Sequence, residues 1–265
     1  MRAFKATVEY DGTDFAGFQW QHGERTVQGE LERAIGMRSG ACSRITGAGR
    51  TDAGVHALGQ VVSFQADTPV PLERMALALN AVLDGDVKVR QVEEVDPAFS
   101  ARFSASSRQY AYLIVNRRTP SALWRRYSAF CPDLLDVEAM SAAAASLVGE
   151  RDFAAFTNQR VEGETTMRCV MRCTVSRLHG FVLVRIEANA FLRGMVRTTV
   201  GTLLEVGTGR RKPESVQEIL STGDRRLAGP SAPPQGLCLV RVRYGPRYSY
   251  TREAPADGPQ SRTDM

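Results

Sequence analysis

Apolar residues fall at every second position as the chain opens. Phe4, Ala6, Val8 and Tyr10 alternate with Lys5, Thr7 and Glu9, the period-two pattern of a half-buried strand. Asp11-Gly12-Thr13-Asp14 breaks the pattern, and a polar-aromatic loop follows from Phe15 to His22. Val27, Leu31, Ala34 and Ile35 then recur at helical spacing. A short strand is predicted around Cys42–Thr46, then a glycine-rich loop, then a strand over Leu58–Ala66. Leu72, Met75, Ala76, Leu79 and Val82 stripe a second helix that Pro71 is placed to start, and Val87–Val95 reads as a further strand. The order is β-α-β-β-α-β, the ferredoxin-like arrangement.

The same order returns in the second half of the chain. Tyr110, Tyr112 and Ile114 share one face of a strand over Arg108–Asn116, with Ala111, Leu113 and Val115 on the other. Asp136 is placed to cap an alanine-rich helix reaching about Val148. Strands over Cys169–Leu178 and Phe181–Ala188 are joined at His179-Gly180, a tight hairpin signal. Leu192, Met195, Val196, Thr199, Val200 and Leu203 stripe a helix ending near Gly207, a short helix starts at Pro213, and a strand over Leu237–Tyr244 closes the set. The predicted class is α+β: two ferredoxin-like (βαββαβ) halves sharing a largely antiparallel sheet, with the active-site cleft between them. Residues 1–104 form one half and 105–248 the other, and residues 249–265, lacking apolar periodicity, are expected to be a disordered tail.

Where the second half turns between its middle strands in two residues, the first half inserts Gly47-Ala48-Gly49-Arg50-Thr51-Asp52-Ala53-Gly54-Val55-His56. A connection longer than its structural task calls for is commonly there for binding or chemistry. Two glycine-loop motifs are excluded. A dinucleotide fingerprint needs glycine where Asp52 stands, and its carboxylate would repel pyrophosphate; a P-loop needs Gly-Lys-Ser/Thr, whereas Gly54 precedes Val55-His56. Asp52 can be a turn aspartate bonding its own backbone, a metal ligand, or a catalytic carboxylate. Arg50, two residues away, favours the last, because a nucleophile or base must be ionised and a nearby arginine favours that form. Arg197 falls on the shoulder of its helix stripe, one turn beyond Arg193, where a structural arginine would simply reach out to water. Tyr110 is a core residue or a platform for stacking a base.

Composition narrows the field without deciding it. At 43% hydrophobic and 24% charged residues, the chain is an ordinary globular one. Net charge is +5, and of the basic residues only Lys5, Lys88 and Lys212 are lysine. Arginine suits phosphate and base stacking, and the clusters Arg117-Arg118, Arg125-Arg126, Arg210-Arg211-Lys212 and Arg225-Arg226 would suit an RNA backbone, although GC-rich coding would give the same bias. No RNP1-type aromatic motif supports stacking on an open sheet. Five scattered cysteines without CxxC, and three histidines without ligand spacing, argue against structural zinc and for a reduced, cytoplasmic setting. No apolar run approaches membrane-spanning length. From residues alone, three functions stay open: an RNA-modifying enzyme, a non-catalytic RNA-binding module, and a small-molecule lyase or hydrolase using Asp52.

Six motifs in order resemble the tRNA pseudouridine synthase A family over roughly residues 4–248. Tyr10-Asp11-Gly12-Thr13 with Phe15-Ala16-Gly17-Phe18-Gln19 is similar to the family's opening YDGTxFxGxQ, and Val27-Gln28-Gly29-Glu30-Leu31-Glu32 follows. Gly49-Arg50-Thr51-Asp52-Ala53-Gly54-Val55-His56-Ala57 resembles the GRTDxGVHA loop, and Arg102-Phe103 with Arg108-Gln109-Tyr110-Ala111-Tyr112 resembles ARF…RxYxY. Phe191-Leu192-Arg193-Gly194-Met195-Val196-Arg197 resembles FLxxMVR, and Ala232-Pro233-Pro234-Gln235-Gly236-Leu237 resembles APPxGL. Cys238 and Phe18 depart from the pattern at positions without a catalytic role. The resemblance implies that Asp52 is the catalytic aspartate, that Tyr110 stacks under the target uracil, that Arg197 pairs with Asp52, and that Arg50 helps turn the uridine out. It also implies isomerisation of uridine to pseudouridine in the tRNA anticodon stem-loop, at nucleotides 38 to 40, by a homodimer without cofactor or metal.

Overall fold

The structure is a computed structural model describing residues 1–245 apart from 40, 43, 158, 160–162 and 164; the expected tail from 249 lies outside the described residues. The first run of elements is β1 (Arg2–Tyr10), α1 (Val27–Gly36), β2 (Ala41–Cys42), β3 (Thr46–Gly47), β4 (His56–Asp67), α2 (Leu72–Asn80) and β5 (Val87–Glu94). The second is β6 (Ala105–Asn116), β7 (Ala129–Cys131), α3 (Val137–Ala145), β8 (Gly149–Asp152), β9 (Met167–Leu178), β10 (Phe181–Ala188), α4 (Met195–Gly207), α5 (Ser215–Thr222) and β11 (Leu237–Tyr244). Among the described residues the strands form one sheet in the order β5-β1-β4-β11-β6-β10-β9-β8, with β2 and β3 on β4 and β7 on β6. Pairing is antiparallel except between β4 and β11 and between β6 and β7.

Local sequence explains most of these elements. The buried Phe4, Ala6, Val8 and Tyr10 of β1 meet Leu31, Ala34 and Ile35 of α1 and Met75 and Leu79 of α2 in one core. Among these, each fully buried Val, Leu, Ile, Phe or Met side chain contributes about 1.5–3 kcal/mol by leaving water. Thr26 caps α1 by accepting from the Gly29 N–H, and Asp136 caps α3 by accepting from the Ala139 N–H. His179 and Gly180, at φ 42° and 82°, make the tight β9–β10 turn. Three details differ from the sequence pattern. The strand expected near 42–46 is two two-residue strands, and the short β7 and β8 were not anticipated. Helix α4 starts at Met195 rather than Leu192, because Gly194 before it is left-handed at φ 73°. Arg193 therefore precedes the helix and is not one turn back on it.

Two features of this frame matter for the site. The seam between the two runs is the parallel pairing of Cys238 with His56 and Leu239 with Ala57, where β11 lies beside the first residues of β4. Along α4, the segment 229–232 packs so closely that a Cβ at Gly201 would collide with the Pro230 carbonyl, while Gly229 donates its N–H to Thr202 Oγ1 at 2.9 Å. Gly201→Ala is therefore expected to destabilise the protein by about 3 kcal/mol, at the upper end of overpacking effects. The urea midpoint measures it, and an unchanged midpoint would mean that the segment can move aside freely. Asp136→Ala, which loses only a helix cap, is expected to cost about 1 kcal/mol in the same experiment.

Candidate active site

The Gly47–His56 connection is held by its backbone, one peptide group after another. The Ala48 N–H donates to the Val61 carbonyl at 2.8 Å. The Gln60 amide, fully buried, brackets Gly49: Nε2 donates to the Gly49 carbonyl at 2.7 Å and Oε1 accepts from the Gly49 N–H at 3.4 Å. Thr51 shares a hydrogen bond between its Oγ1 and Tyr10 Oη at 2.8 Å, and its carbonyl accepts from the Phe18 N–H at 3.0 Å. The Val55 N–H donates to the Asp52 carbonyl at 3.2 Å, closing a tight turn through Gly54, whose φ of 76° disfavours any side chain. His56 Nδ1 lies 3.0 Å from the Gly12 nitrogen and 3.2 Å from Asp11 Oδ1, and Nε2 lies 2.7 Å from the Arg126 carbonyl. The glycine content thus permits a loop that is fastened at almost every residue.

Asp52 stands at the mouth of this loop, and the guanidinium that meets it is Arg197. Arg197 Nη1 donates to Asp52 Oδ2 at 3.1 Å across 145 positions of sequence. The two side chains are 22% and 31% exposed, so the pair is shielded yet reachable from solvent. Arg197 is aimed by the segment packed along α4: its Nε donates to the Ala232 carbonyl at 2.8 Å, while the Ala232 N–H donates back to the Arg197 carbonyl at 2.9 Å. The Tyr112 hydroxyl holds the next carbonyl, Pro233, at 2.7 Å. Arg50, the cation expected beside Asp52 from its position two residues away, is exposed and forms no ion pair with it. The chain turns at residues 52–55, where the Val55 N–H bonds the Asp52 carbonyl, and sequence proximity did not bring the charges together.

Tyr110 is buried beneath the loop. Its hydroxyl would be 3.5 Å from a Cβ at Gly49, and its ring meets Phe191 edge-on with centroids 5.1 Å apart. Burial pushes the Tyr110 hydroxyl above the ordinary phenol range, with the Tyr10 hydroxyl and the Asp52 carboxylate adding to the effect. Burial likewise raises Tyr10 and Tyr112. The unfolded chain releases these protons first, near pH 10, so their stabilising contribution is intact below that value and falls as pH rises past it. Titrating phenolate absorbance at about pH 11 is expected to show these three tyrosines ionising only as the fold melts. Their ionisation in a protein that keeps its near-ultraviolet dichroism would contradict this burial.

Two holding residues had no role assigned from sequence: Gln60, and Arg108, which was quoted only as part of the RxYxY segment. Arg108 shares strand parity with Tyr110, Tyr112 and Ile114, so a charge on a core-facing alternation was the available signal. The arginine clusters are only partly free of internal partners. Arg211 pairs with Glu205 at 2.8 Å and Arg226 with Asp224 at 2.6 Å; Arg117, Arg118, Arg125 and Arg126 are exposed on one connection after β6, where Arg117 donates to the Thr119 and Pro120 carbonyls and Arg126 lies 3.9 Å from Asp14. Among the described residues no group of three or more His, Cys, Asp or Glu is placed to hold a metal ion, none of the five cysteines is in a disulfide, and no helix is long and apolar enough to cross a membrane.

Known proteins give this geometry a context. The sequence pattern of a family described as tRNA pseudouridine synthase matches residues 6–104 and 143–245. The tRNA pseudouridine synthase A of Methylococcus capsulatus strain Bath is 43% identical over 262 residues, covering 97% of each chain. Its namesakes from Roseiflexus sp. strain RS-1 and Thermoanaerobacter sp. strain X514 are 46% and 42% identical, covering 92% of this chain and 91% and 100% of theirs. A solved structure, "Crystal Structure of a Cbf5-Nop10-Gar1 Complex", aligns at TM-score 0.35 and 14% identity over 76% of this chain and 45% of that one, too loosely to bear on the fold. A loop that presents one fastened carboxylate, and relatives this similar over almost the whole length, lead to one assignment: the chain belongs to the tRNA pseudouridine synthase family and is an isomerase.

Proposed function

We propose that this enzyme converts uridine to pseudouridine at nucleotides 38 to 40 of the tRNA anticodon stem-loop, with Asp52 as the one acting carboxylate and no cofactor. The observation that carries the reading is the Arg197–Asp52 pair, 3.1 Å apart and partly open, above the buried ring of Tyr110. The reaction breaks the N1–C1′ bond, turns the base and rejoins it through C5, and the C5 proton moves to solvent as N1 gains one. No electron is transferred and no group is donated, so a carboxylate and a shaped pocket suffice. Asp52 attacks C6 or C1′, or takes the 2′ proton. A primary isotope effect with uridine deuterated at C2′ distinguishes the last route from the other two.

The uridine has to leave its stack to reach this carboxylate, at a cost of a few kcal/mol. In this reading the flipped base rests against Tyr110, and the exposed Arg50 holds the backbone or the space it vacates. The exposed arginines of residues 117–126 contact phosphates. The strand orders β5-β1-β4-β3 and β11-β6-β10-β9 follow one pattern, each beginning with its run's last strand beside its first. That correspondence supports two ferredoxin-like halves, residues 1–104 and 105–248, with the cleft between them. A homodimer in the cytoplasm completes the proposal, and sedimentation equilibrium at about twice the 29.1 kDa chain mass tests the dimer.

The deciding experiment incubates chelator-treated protein with unmodified transcripts of tRNAs carrying uridine at 38, 39 or 40, folded with spermidine. Mapping pseudouridine after digestion is expected to locate it at those positions alone. Unmodified transcripts, or pseudouridine elsewhere, would refute the specificity. Binding without conversion would favour the non-catalytic RNA-binding module.

A further inference from the structure

Arg108 is buried, at 8% exposure, and none of its contacts is a carboxylate. Every hydrogen bond it makes goes to a backbone carbonyl. Nε and Nη2 both donate to Ala48, at 3.1 and 2.9 Å; Nη2 also donates to Arg102 at 2.5 Å; Nη1 donates to Ala105 at 3.3 Å and Asn189 at 2.8 Å. Burial pushes this guanidinium below its ordinary value, as expected of a cation taken from water with no anion beside it. An uncompensated buried charge is costly, and a strand position facing a core is ordinarily apolar. The arrangement is therefore informative because of which carbonyls it joins.

Ala48 lies at the root of the Asp52 loop. Its carbonyl is the peptide acceptor next to Gly49, whose own N–H and carbonyl are held by Gln60. Asn189 lies at the opposite root. It follows β10 and opens the Phe191–Gly194 connection that delivers Arg197 at the start of α4. Asn189 is itself fixed, its N–H donating to the Cys169 carbonyl at 3.0 Å and its Oδ1 accepting from the Cys169 N–H at 3.0 Å. One planar guanidinium thus ties the two loops that meet as Asp52 and Arg197. Only arginine has the donors, five N–H groups in a fixed plane, to reach all four carbonyls at once.

We propose that Arg108 is a positioning residue that braces the loop of Asp52 against the connection carrying Arg197, and so sets the geometry of that pair for reaction. The proposal rests on the reading of Asp52 as the acting carboxylate. Arg108 does not touch Asp52, and its effect runs through the Ala48 and Asn189 carbonyls. A lysine in its place keeps a charge and most of the volume but cannot bracket Ala48 and reach Asn189 together.

Arg108→Lys separates bracing from mere folding when three quantities are read on the full-length enzyme: the single-turnover rate of pseudouridine formation, the Kd for a tRNA transcript, and the thermal midpoint. The rate is expected to fall about 100-fold, the effect of displacing a reacting group by roughly 1 Å, with Kd within about threefold. In an Arg197→Lys background the same change is expected to cost far less, because the pair it positions is already disturbed. Should the variant melt early, its rate is measured well below its own midpoint; recovery of the wild-type rate there would reduce Arg108 to a stability role and overturn the proposal. A wild-type rate at every temperature, or equal losses with and without Arg197→Lys, would overturn it as well. Asp52→Asn in the same assay tells the two failures apart. An active Asp52→Asn removes the reading of Asp52 and the brace with it, whereas an inactive one beside a fully active Arg108→Lys removes the brace alone.

Discussion

Asp52→Asn is expected to lower pseudouridine formation by at least about 10³-fold, since the carboxylate is read as the only group doing nucleophilic or base chemistry. Asparagine is nearly the same size, and the loop is fastened through Gln60, Tyr10, Phe18 and Val55 rather than through the Asp52 side chain. The fold and the loop path should therefore survive. Affinity for tRNA should stay within a few-fold, because phosphate contacts supply most of it. Single-turnover conversion and filter binding on the same preparation measure both. A variant that keeps a tenth of the wild-type rate would place the chemistry on another residue.

Arg197→Ala ranks second. Removing one partner of a fully buried ion pair costs about 3–5 kcal/mol, but both side chains here retain some exposure, 22% and 31%, and water weakens the penalty. About 2–3 kcal/mol remains, equivalent to roughly 30- to 150-fold in rate. The loss should deepen for a substrate that closes the site, since excluding water leaves the Asp52 carboxylate without its counter-charge. Arg197→Lys should recover part of the rate: its ammonium can reach one oxygen, but it cannot also copy the Nε contact to the Ala232 carbonyl. The double mutant gives the sharper test. With Asp52 already changed to Asn, Arg197→Ala should cost much less than it does alone. Equal losses of tRNA affinity in both backgrounds would make Arg197 a phosphate contact and nothing more.

Much of the frame could be read from alternation and helical spacing, because long elements with one buried face repeat their pattern several times. β1, β4, β6, β9, β10 and β11 all contain the strands expected of them. The two- to four-residue strands β2, β3, β7 and β8 repeat nothing, and only tertiary pairing defines them. The start of α4 was misplaced by three residues because Leu192 fits the stripe, while the left-handed turn at Gly194 prevents its inclusion. At the site, the glycine loop and Asp52 stood out by composition, and Arg197 came from the family resemblance rather than from its own position. Arg50 drew attention as the neighbouring cation, yet no contact ties it to Asp52. Gln60 was silent, and Arg108 stood in a quoted motif without a role, because both act on backbone atoms, and a carbonyl has no sequence of its own to match.

The last strand among the described residues is also a middle strand of the sheet. β11, residues Leu237–Tyr244, lies between β4 and β6, and its pairing with His56 and Ala57 is the only strand seam between the two runs among the described residues. Closing it brings together segments more than 170 residues apart, the kind of late, entropically costly step that slows folding of sheets with distant pairings. On the ribosome, a chain that ends before Leu237 has no β11 to lay beside β4, and a chain that ends before Ala232 lacks the carbonyl that aims Arg197 at Asp52. The Asp52–Arg197 pair, although its two members are made well before the end, therefore has to wait for the C-terminal segment to emerge from the exit tunnel. If Asp52 and Arg197 act as proposed, nascent fragments that already carry the GRTDAGVHA loop and an exposed basic surface are expected to bind tRNA without modifying it.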